Sequence, residues 1–432
     1  MHLLRIALAS LANRRFIALL TVVAIGLSVC LLLAVERIRS EARASFASTV
    51  SGTDLIVGAR TGSLNLLLYS VFRIGNATNN IRWESYEALA RHPQVKWSVP
   101  ISLGDSHRGY RVMGTSEGYF EHYRYGRKQS LRLSEGRVFA SDPFEVVLGA
   151  EVARALGYHL DQELVLAHGV ARVSLVKHDD KPFRVVGILA RTGTPVDRTL
   201  HISLAGMEAL HIDWQNGMPA RGAARIDAER VREMAACSED QLCAQALQPK
   251  AITAVLLGLN SRVATFGLQR EINQYRGEPL LAILPGVALQ ELWSLMGVAE
   301  KALLLVSLFV VLTGLVGMLT AILASLNERR REMAILRSVG ARPWHLALLL
   351  LLEALLLTLA GILLGLTLLY LGIAIGQDPL QAEYGLYLPL RIPSSYELTL
   401  LGGILCAGLT MGLVPAWRAY RQSLADGLSI RL

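Results

Sequence analysis

Charge is scarce in this sequence. Asp, Glu, Lys and Arg make up 18% of its 432 residues, against about 25% in an ordinary soluble domain. Hydrophobic residues make up 52%, and the mean hydropathy is +0.39. The apolar excess is gathered into long runs. That excludes a wholly soluble protein and points to a membrane protein with a sizeable watery part. Cysteine is scarce too, at four residues. Cys30 and Cys406 fall in apolar runs and read as small apolar side chains. Cys237 and Cys243 are the disulfide candidate, and an oxidising compartment would permit the bond. Against it, Ser238 and Gln241 look like a capping box that opens a helix. Residues six apart on one helix do not face each other, so the bond requires a non-helical segment. A bond and two buried thiols both stay open.

Several motifs are missing. The chain has no G-x-x-x-x-G-K-[ST] phosphate cradle, so if ATP is used another chain hydrolyses it. There is no H-E-x-x-H, and no H-x-x-x-H or Cys–His spacing marks a metal ligand set. Eight of the ten histidines lie between residues 36 and 301. That stretch is about three-fifths of the chain, so most histidines would fall there anyway. His178, beside Asp179 and Asp180, is the weak local candidate; otherwise no metal is expected. GTSEG at 114–118 matches the G-x-S-x-G nucleophile pattern. GYFEHY follows it and opens no clear helix, so the stretch reads as a polar turn ending a strand. No catalytic residue is expected.

What the chain does have is four apolar runs of roughly the 20 residues a membrane-spanning helix needs: 16–35, 302–326, 346–376 and 398–414. The first is too long for the core of a signal peptide and is expected to stay as an anchor. Arginines flank the runs on one side only. Arg5, Arg14 and Arg15 precede the first, Arg329 to Arg331, Arg337 and Arg342 lie between the second and third, and Arg418 and Arg421 follow the fourth. With four spans all these groups share one face of the membrane, which the positive-inside bias makes cytoplasmic. The net charge of +8 then needs no nucleic-acid partner. Segments 1–15, 327–345 and 415–432 are expected inside, and 36–301 and 377–397 outside.

About 265 residues between two spans must fold. After a helix continuing from the first span (Glu36–Val50), β-like runs such as DLIVGA, EVVLGA and FRVVGIL alternate with helical stretches such as WESYEALARH. The expected fold class is therefore four transmembrane α-helices with a large α+β domain inserted between the first and second.

Between the second and third spans stands NERRREMAILRSVGARPWHL. Met333, Leu336 and Val339 recur at a helical spacing. Glu328, Arg331, Glu332 and Arg337 occupy much of the remaining surface, and Gly340 is placed to close the helix. A topological anchor would need only the arginines. Paired glutamates and an apolar stripe suit a docking surface. Glu353 is the only acid within a span and suits a structural hydrogen-bonding role. Gly361 and Gly365, and Gly408 and Gly412, are small-xxx-small pairs that allow close helix approach.

ERRREMAILRSVGARPWHLALLLLLEALLLTLAGILLGL resembles the signature of the FtsX-like permeases, the MacB and LolC/LolE group of ABC transporter membrane subunits. Glu328, Arg331, Glu332, Ile335, Leu336, Arg337, Gly340, Ala341, Glu353, Gly361 and Gly365 match it in order. Pro415, Ala416, Ala419 and Leu424 resemble the family's closing segment. VVLGAEVARALG followed by FRVVGIL resembles its periplasmic core domain. Asp161 departs from the pattern, where the family often has glycine.

The resemblance implies a bacterial inner-membrane protein with both termini cytoplasmic. It implies that 327–345 docks as a coupling helix on a separate ABC ATPase, in two copies, which binds the ATP and Mg; this chain holds no cofactor. It implies a second copy of the permease or a paralogue, and a periplasmic adaptor or carrier as a further partner. It implies work relayed to the periplasm rather than a solute passage, with a porter-like part at 50–125 plus 250–290 and an inserted part at 130–245. Within or beside the family, lipoprotein release, metal handling, and a scaffold that regulates a cell-wall hydrolase are the rival functions. Topology is checked with tags: those at residue 1, within 328–340 and at 432 should be cytoplasmic, and those near 220 and 385 periplasmic. A protease-protected tag at 220 in spheroplasts would overturn the four-span arrangement.

Overall fold

A computed structural model describes residues 2–126, 128–169, 178–215, 218–219, 226–236, 247–328, 330–384 and 388–421. Cys237 and Cys243 lie outside the described residues. The chain divides into two compact units. One comprises Met1–Glu41, Met296–Pro379 and Tyr387–Leu432; the other comprises Ala42–Leu295 with Leu380–Leu386.

The first unit is helical. Helix α1 spans His2–Asn13 and α2 Arg15–Ser48; α3 spans Pro285–Glu328, α4 Arg330–Ser338, α5 Pro343–Tyr384 and α6 Ser395–Arg421. Four of these (α2, α3, α5, α6) are long and apolar enough to cross a membrane, and each contains one of the four apolar runs. In hydrocarbon a helix satisfies its own backbone groups, so leucine-rich sequence without regular breaks settles there as helix. Side chains such as Phe16, Leu19, Leu20, Leu305 and Phe309 are exposed, as lipid-facing residues should be. Helix α1 lies within 1–15, a segment whose arginines alone give no helical signal.

The second unit is built on a ten-stranded mixed sheet. Its strands in chain order are β1 Leu55–Ala59, β2 Val95–His107, β3 Tyr110–Thr115, β4 Leu133–Gly136, β5 Glu145–Leu148, β6 Glu163–Leu164, β7 Phe183–Leu189, β8 Thr199–Ser203, β9 Ala254–Leu259 and β10 Leu280–Ile283. The spatial order is β10-β1-β9-β2-β3-β8-β5-β7-β4, with β6 paired to β7. Strands from 50–125 and 250–290 make one half of the sheet and those from 130–203 the other. The halves meet where β3 and β8 pair in parallel, Thr199 opposite Arg111 through Ser203 opposite Thr115. Residues alternate between faces as a strand requires. Ile56 joins one core cluster while Leu55 and Val57 join another. Val147 likewise points away from Val146 and Leu148. Both faces are covered, which is why β1 and β9, and β5 after Glu145, are continuous apolar runs.

Helices form at Trp83–Ala90, Ala150–Leu156 and Thr265–Asn273, where the helical stretches were read. One local expectation fails: Gly118–His122 is a short helix directly after Ser116 and Glu117. Tyr119 and Phe120 are buried in the core, and that burial overrides the weak local propensity. Asp161, the departure from the family glycine, has φ 63°. It occupies the left-handed region that glycine enters freely and Asp tolerates. Its N–H still donates to Val185 O at 2.8 Å.

Glu145 on β5 is buried and ties neighbouring strands together. It accepts from Arg137, from Ala140 N at 2.8 Å and from Arg184 at 3.4 Å. Burial works against its charge, but the Arg137 and Ala140 hydrogen bonds and the two arginine charges outweigh that and lower its pKa. A lowered folded pKa stabilises above the ordinary carboxylate value, and the contribution drains away as pH falls towards the folded value. Glu145→Gln should therefore lower the thermal midpoint of the second unit at pH 7 and lower it less at pH 3, measured by calorimetry. An equal loss at both pH values would refute this.

Candidate functional site: the charged segment and the helix packing around it

The charged segment forms α4. The side chains of Glu328 and Arg331 and the whole of Arg329 lie outside the described residues. Glu332 is exposed, and Leu336 and Arg337 are half-buried. Met333 is buried, as is Ala334, while Ile335 is 54% and Val339 83% exposed. The stripe read from the sequence is therefore divided: Met333 anchors α4 to its own unit. The open apolar pair is Ile335 and Val339, one turn apart. Their i, i+4 spacing was visible in the sequence, but spacing alone cannot say which of two overlapping stripes turns inward.

The helix ends as Gly340 suggested. Gly340 has φ +103°, its N–H donates to Arg337 O at 3.0 Å, and Ala341 N donates to Leu336 O at 3.0 Å. This paired closure is the Schellman arrangement, which needs a left-handed residue at that position. Pro343 then opens α5, where a missing N–H costs nothing. His345 Nδ1 accepts from Arg342 N at 3.0 Å. The chain thus makes a sharp, fully hydrogen-bonded turn between α4 and α5.

The glycine pairs pack within the chain. A Cβ on Gly361 would meet Ile25 at 2.5 Å, and one on Gly365 would meet Gly26 O and Val29 at 2.8 Å, so this pair lets α5 lie against α2. Gly408 faces Thr358, and a Cβ on Gly412 would meet Ala354 at 2.7 Å, so this pair seats α6 on α5. Glu353, next to Ala354, is 3% exposed.

Another polar cluster in this unit was missed. Arg37 on α2 pairs with Glu397 on α6 at 3.1 Å, their side chains 1% and 2% exposed. Arg37 Nη2 also donates to Arg391 O at 2.9 Å, which accepts from Tyr370 Oη at 2.6 Å. Glu397 Oε2 accepts from Ser394 N at 2.7 Å while Ser394 Oγ accepts from Glu397 N at 3.2 Å. That is a capping box, and S-x-x-E at 394–397 was its signal. Arg391 pairs with Glu41 at 2.9 Å, and Arg39 with Glu36 at 2.7 Å and Glu300 at 3.5 Å. Ion pairs thereby tie α2 to α3 and α6, and the Tyr370 hydroxyl adds α5 by hydrogen bonds.

The exported histidines sort by environment. His107 is satisfied by Val165 O and Tyr158 Oη, and His201 lies near Val147 O among Tyr119 and Phe120. Both are core residues. His178 meets Asp105, His168 and His211, none of them among its immediate neighbours in sequence.

Four membrane-length helices with a folded insert of about 250 residues define a multi-pass membrane protein. Residues 304–424 match the family described as FtsX-like permease C-terminal, and residues 18–236, more than half of the chain, match the MacB-like periplasmic core domain. The chain belongs to the FtsX/MacB-type permeases, the membrane subunits of ABC transporters. Permeases of that family are transport subunits that generally dimerise and work with a cytoplasmic ABC ATPase, and the family together with the four apolar helices fits a multi-pass inner-membrane protein. The crystal structure of the periplasmic region of MacB from Actinobacillus actinomycetemcomitans is similar over 56% of this chain and 94% of that one, at 13% identity and a TM-score of 0.32. No curated protein matches the sequence significantly.

Removing one partner of a buried ion pair strands the other charge, at a cost of about 3–5 kcal/mol. Arg37→Met should therefore lower the thermal stability of the detergent-solubilised protein sharply, and Arg37→Met with Glu397→Met should recover most of the loss. A double variant no better than the single one would refute the pairing.

Proposed function

We propose that this permease docks a separate cytoplasmic ATPase through α4 and converts its ATP-driven closure into conformational work outside the membrane, without a solute path through its helices. Both termini and α4 are then cytoplasmic, and a dimer of the chain or a paralogous pair engages two ATPase copies. The observation that carries the reading is the surface of α4. Ile335 and Val339 stand exposed beside Glu332, on a helix held by buried Met333 and Ala334 and closed by Gly340. An anchoring loop has no need for exposed apolar side chains or for a fixed geometry. A docking helix needs both, since apolar anchors ringed by charge are what a partner pocket selects. The packing of α5 on α2 and of α6 on α5 through glycines supports coupled movement of the helices. Substrate extrusion and transfer to an adaptor or carrier are the forms of outward work this allows.

A charge that loses its buried partner costs about 2–5 kcal/mol, so Glu332→Arg, Leu336→Asp and Ile335→Asp should each weaken the complex. The variants should insert with normal topology, yet the ATPase should copurify poorly or stop responding to this subunit. If α4 were only an anchor, Glu332→Arg would add positive charge to a positive loop and change nothing. Normal complex formation and transport in all three variants would overturn the docking assignment.

A further inference from the structure

Four side chains from distant parts of the exported unit converge on one point. Asp105 comes from the end of β2, His168 from the loop after β6, His178 from the turn before β7, and His211 from the last position of the helix Leu204–His211. One ligand atom from each lies within 4.8 Å of all the others. His168 Nδ1 is 3.1 Å from Asp105 Oδ1 and 3.2 Å from His211 Nε2. Asp105 Oδ2 is 3.7 Å from His178 Nε2 and 3.6 Å from His211 Nε2. Ligands about 2.0–2.1 Å from a tetrahedral zinc ion lie about 3.3–3.4 Å apart, and these separations bracket that value.

A simple histidine–aspartate hydrogen-bond cluster would leave less unsatisfied. Asp105 is wholly buried, and its Oδ2 makes no hydrogen bond among the described residues; neither does the buried Nε2 of His178. Two buried polar atoms facing each other without a bond are costly unless something stands between them. The nearby cation does not fill the role. Lys181, also buried, is bound at 2.7 Å to Asp213. The surroundings also orient the ligands. His211 Nδ1 lies 3.4 Å from Met207 O, the outer-shell contact that leaves Nε2 for a metal. Trp214 packs against the rings of His168, His178 and His211 at 4.6, 5.6 and 4.7 Å. His168 is 48% and His211 27% exposed, so an ion can reach the site from water.

We propose that Asp105, His168, His178 and His211 form a binding site for a divalent transition-metal ion, with zinc the best fit. Three imidazoles and one carboxylate suit zinc and disfavour magnesium or calcium, which take oxygen ligands. All four tetrahedral positions come from the protein, the pattern of a site that holds its ion rather than one that activates water. Asp105 belongs to the sheet half formed by 50–125 and 250–290, and the three histidines belong to the other half. A bound ion therefore clamps the two halves together beside the Ser106–Ala167 bridge. The site makes no use of α4, so it and the docking proposal stand or fall separately.

The test uses the full-length protein in detergent, purified without a histidine tag and stripped with chelator. Zinc added alone should bind one per chain by calorimetry and raise the thermal midpoint, and chelator should reverse the rise. Cobalt(II) in its place should give the intense visible absorption of a tetrahedral site. Loss of an outer-shell group costs about 10–100-fold in affinity, so Asp105→Asn, His178→Gln and His211→Gln should each weaken binding at least that much. Glu332→Arg, far from these ligands in sequence and outside their unit, should bind normally. Unchanged affinity in the ligand variants, no zinc-dependent shift in the unaltered protein, or the weak spectrum of octahedral cobalt would each overturn the site. If ligand variants fail to fold, the stoichiometry and cobalt spectrum of the unaltered protein still decide.

Discussion

In hydrocarbon a polar group has no water to turn to, and the helical unit is organised around that constraint. Backbone groups are satisfied by helix formation along α2, α3, α5 and α6. Helix contact then has to come from close packing, which is why glycine rather than leucine stands at 361, 365, 408 and 412, where a neighbouring helix leaves no room for a Cβ. The buried Arg37–Glu397 pair is a charge that is answered. Arg37 and Glu397 are almost fully buried and share their hydrogen bonds with Arg391 O, Tyr370 and the first turn of α6. Remove that answer and the same burial becomes a liability.

At the other end of the sequence of events stands α4, held by a different economy. It is short, so propensity alone would not keep it folded. Met333 and Ala334 bury into its own unit, and the Gly340 closure satisfies its last carbonyls. What remains outward is apolar and charged together. A surface fixed this firmly, yet left open, is the physical basis for reading it as a partner's seat.

The exported unit solves the opposite problem. It has water around it and builds one continuous sheet from two chain segments that are interleaved in sequence. The seam is the parallel pairing between β3 and β8, joined by an antiparallel bridge between Ser106 and Ala167. Pairing strands about 90 residues apart carries the loop-closure cost that makes non-local parallel contacts slow to form. The Asp105–histidine cluster draws on both halves, where a few well-placed ligands supply a tie that strand pairing alone makes narrowly.

Much of this was legible in the residues. Apolar runs marked the spans because a bilayer demands about 20 uncharged residues whatever the fold. Continuous Val, Leu and Ile stretches marked the buried strands. Gly340 marked a helix end because few other residues accept its backbone angle. Local signals missed the Gly118–His122 helix, which rests on buried Tyr119 and Phe120, and the Arg37–Glu397 pair, whose members are 360 residues apart. His178 could be suspected from its acidic neighbours, but its real partners come from β2, a loop and a helix terminus. The sequence by itself determined the apolar runs, the inserted domain and the charged helix, since these follow from composition and period, and its motifs carried the resemblance to the family. Only the tertiary structure decided which face of α4 is open, which glycines meet which helix, and which histidines share a carboxylate. Those are distances between residues far apart in the chain, and no local pattern encodes them.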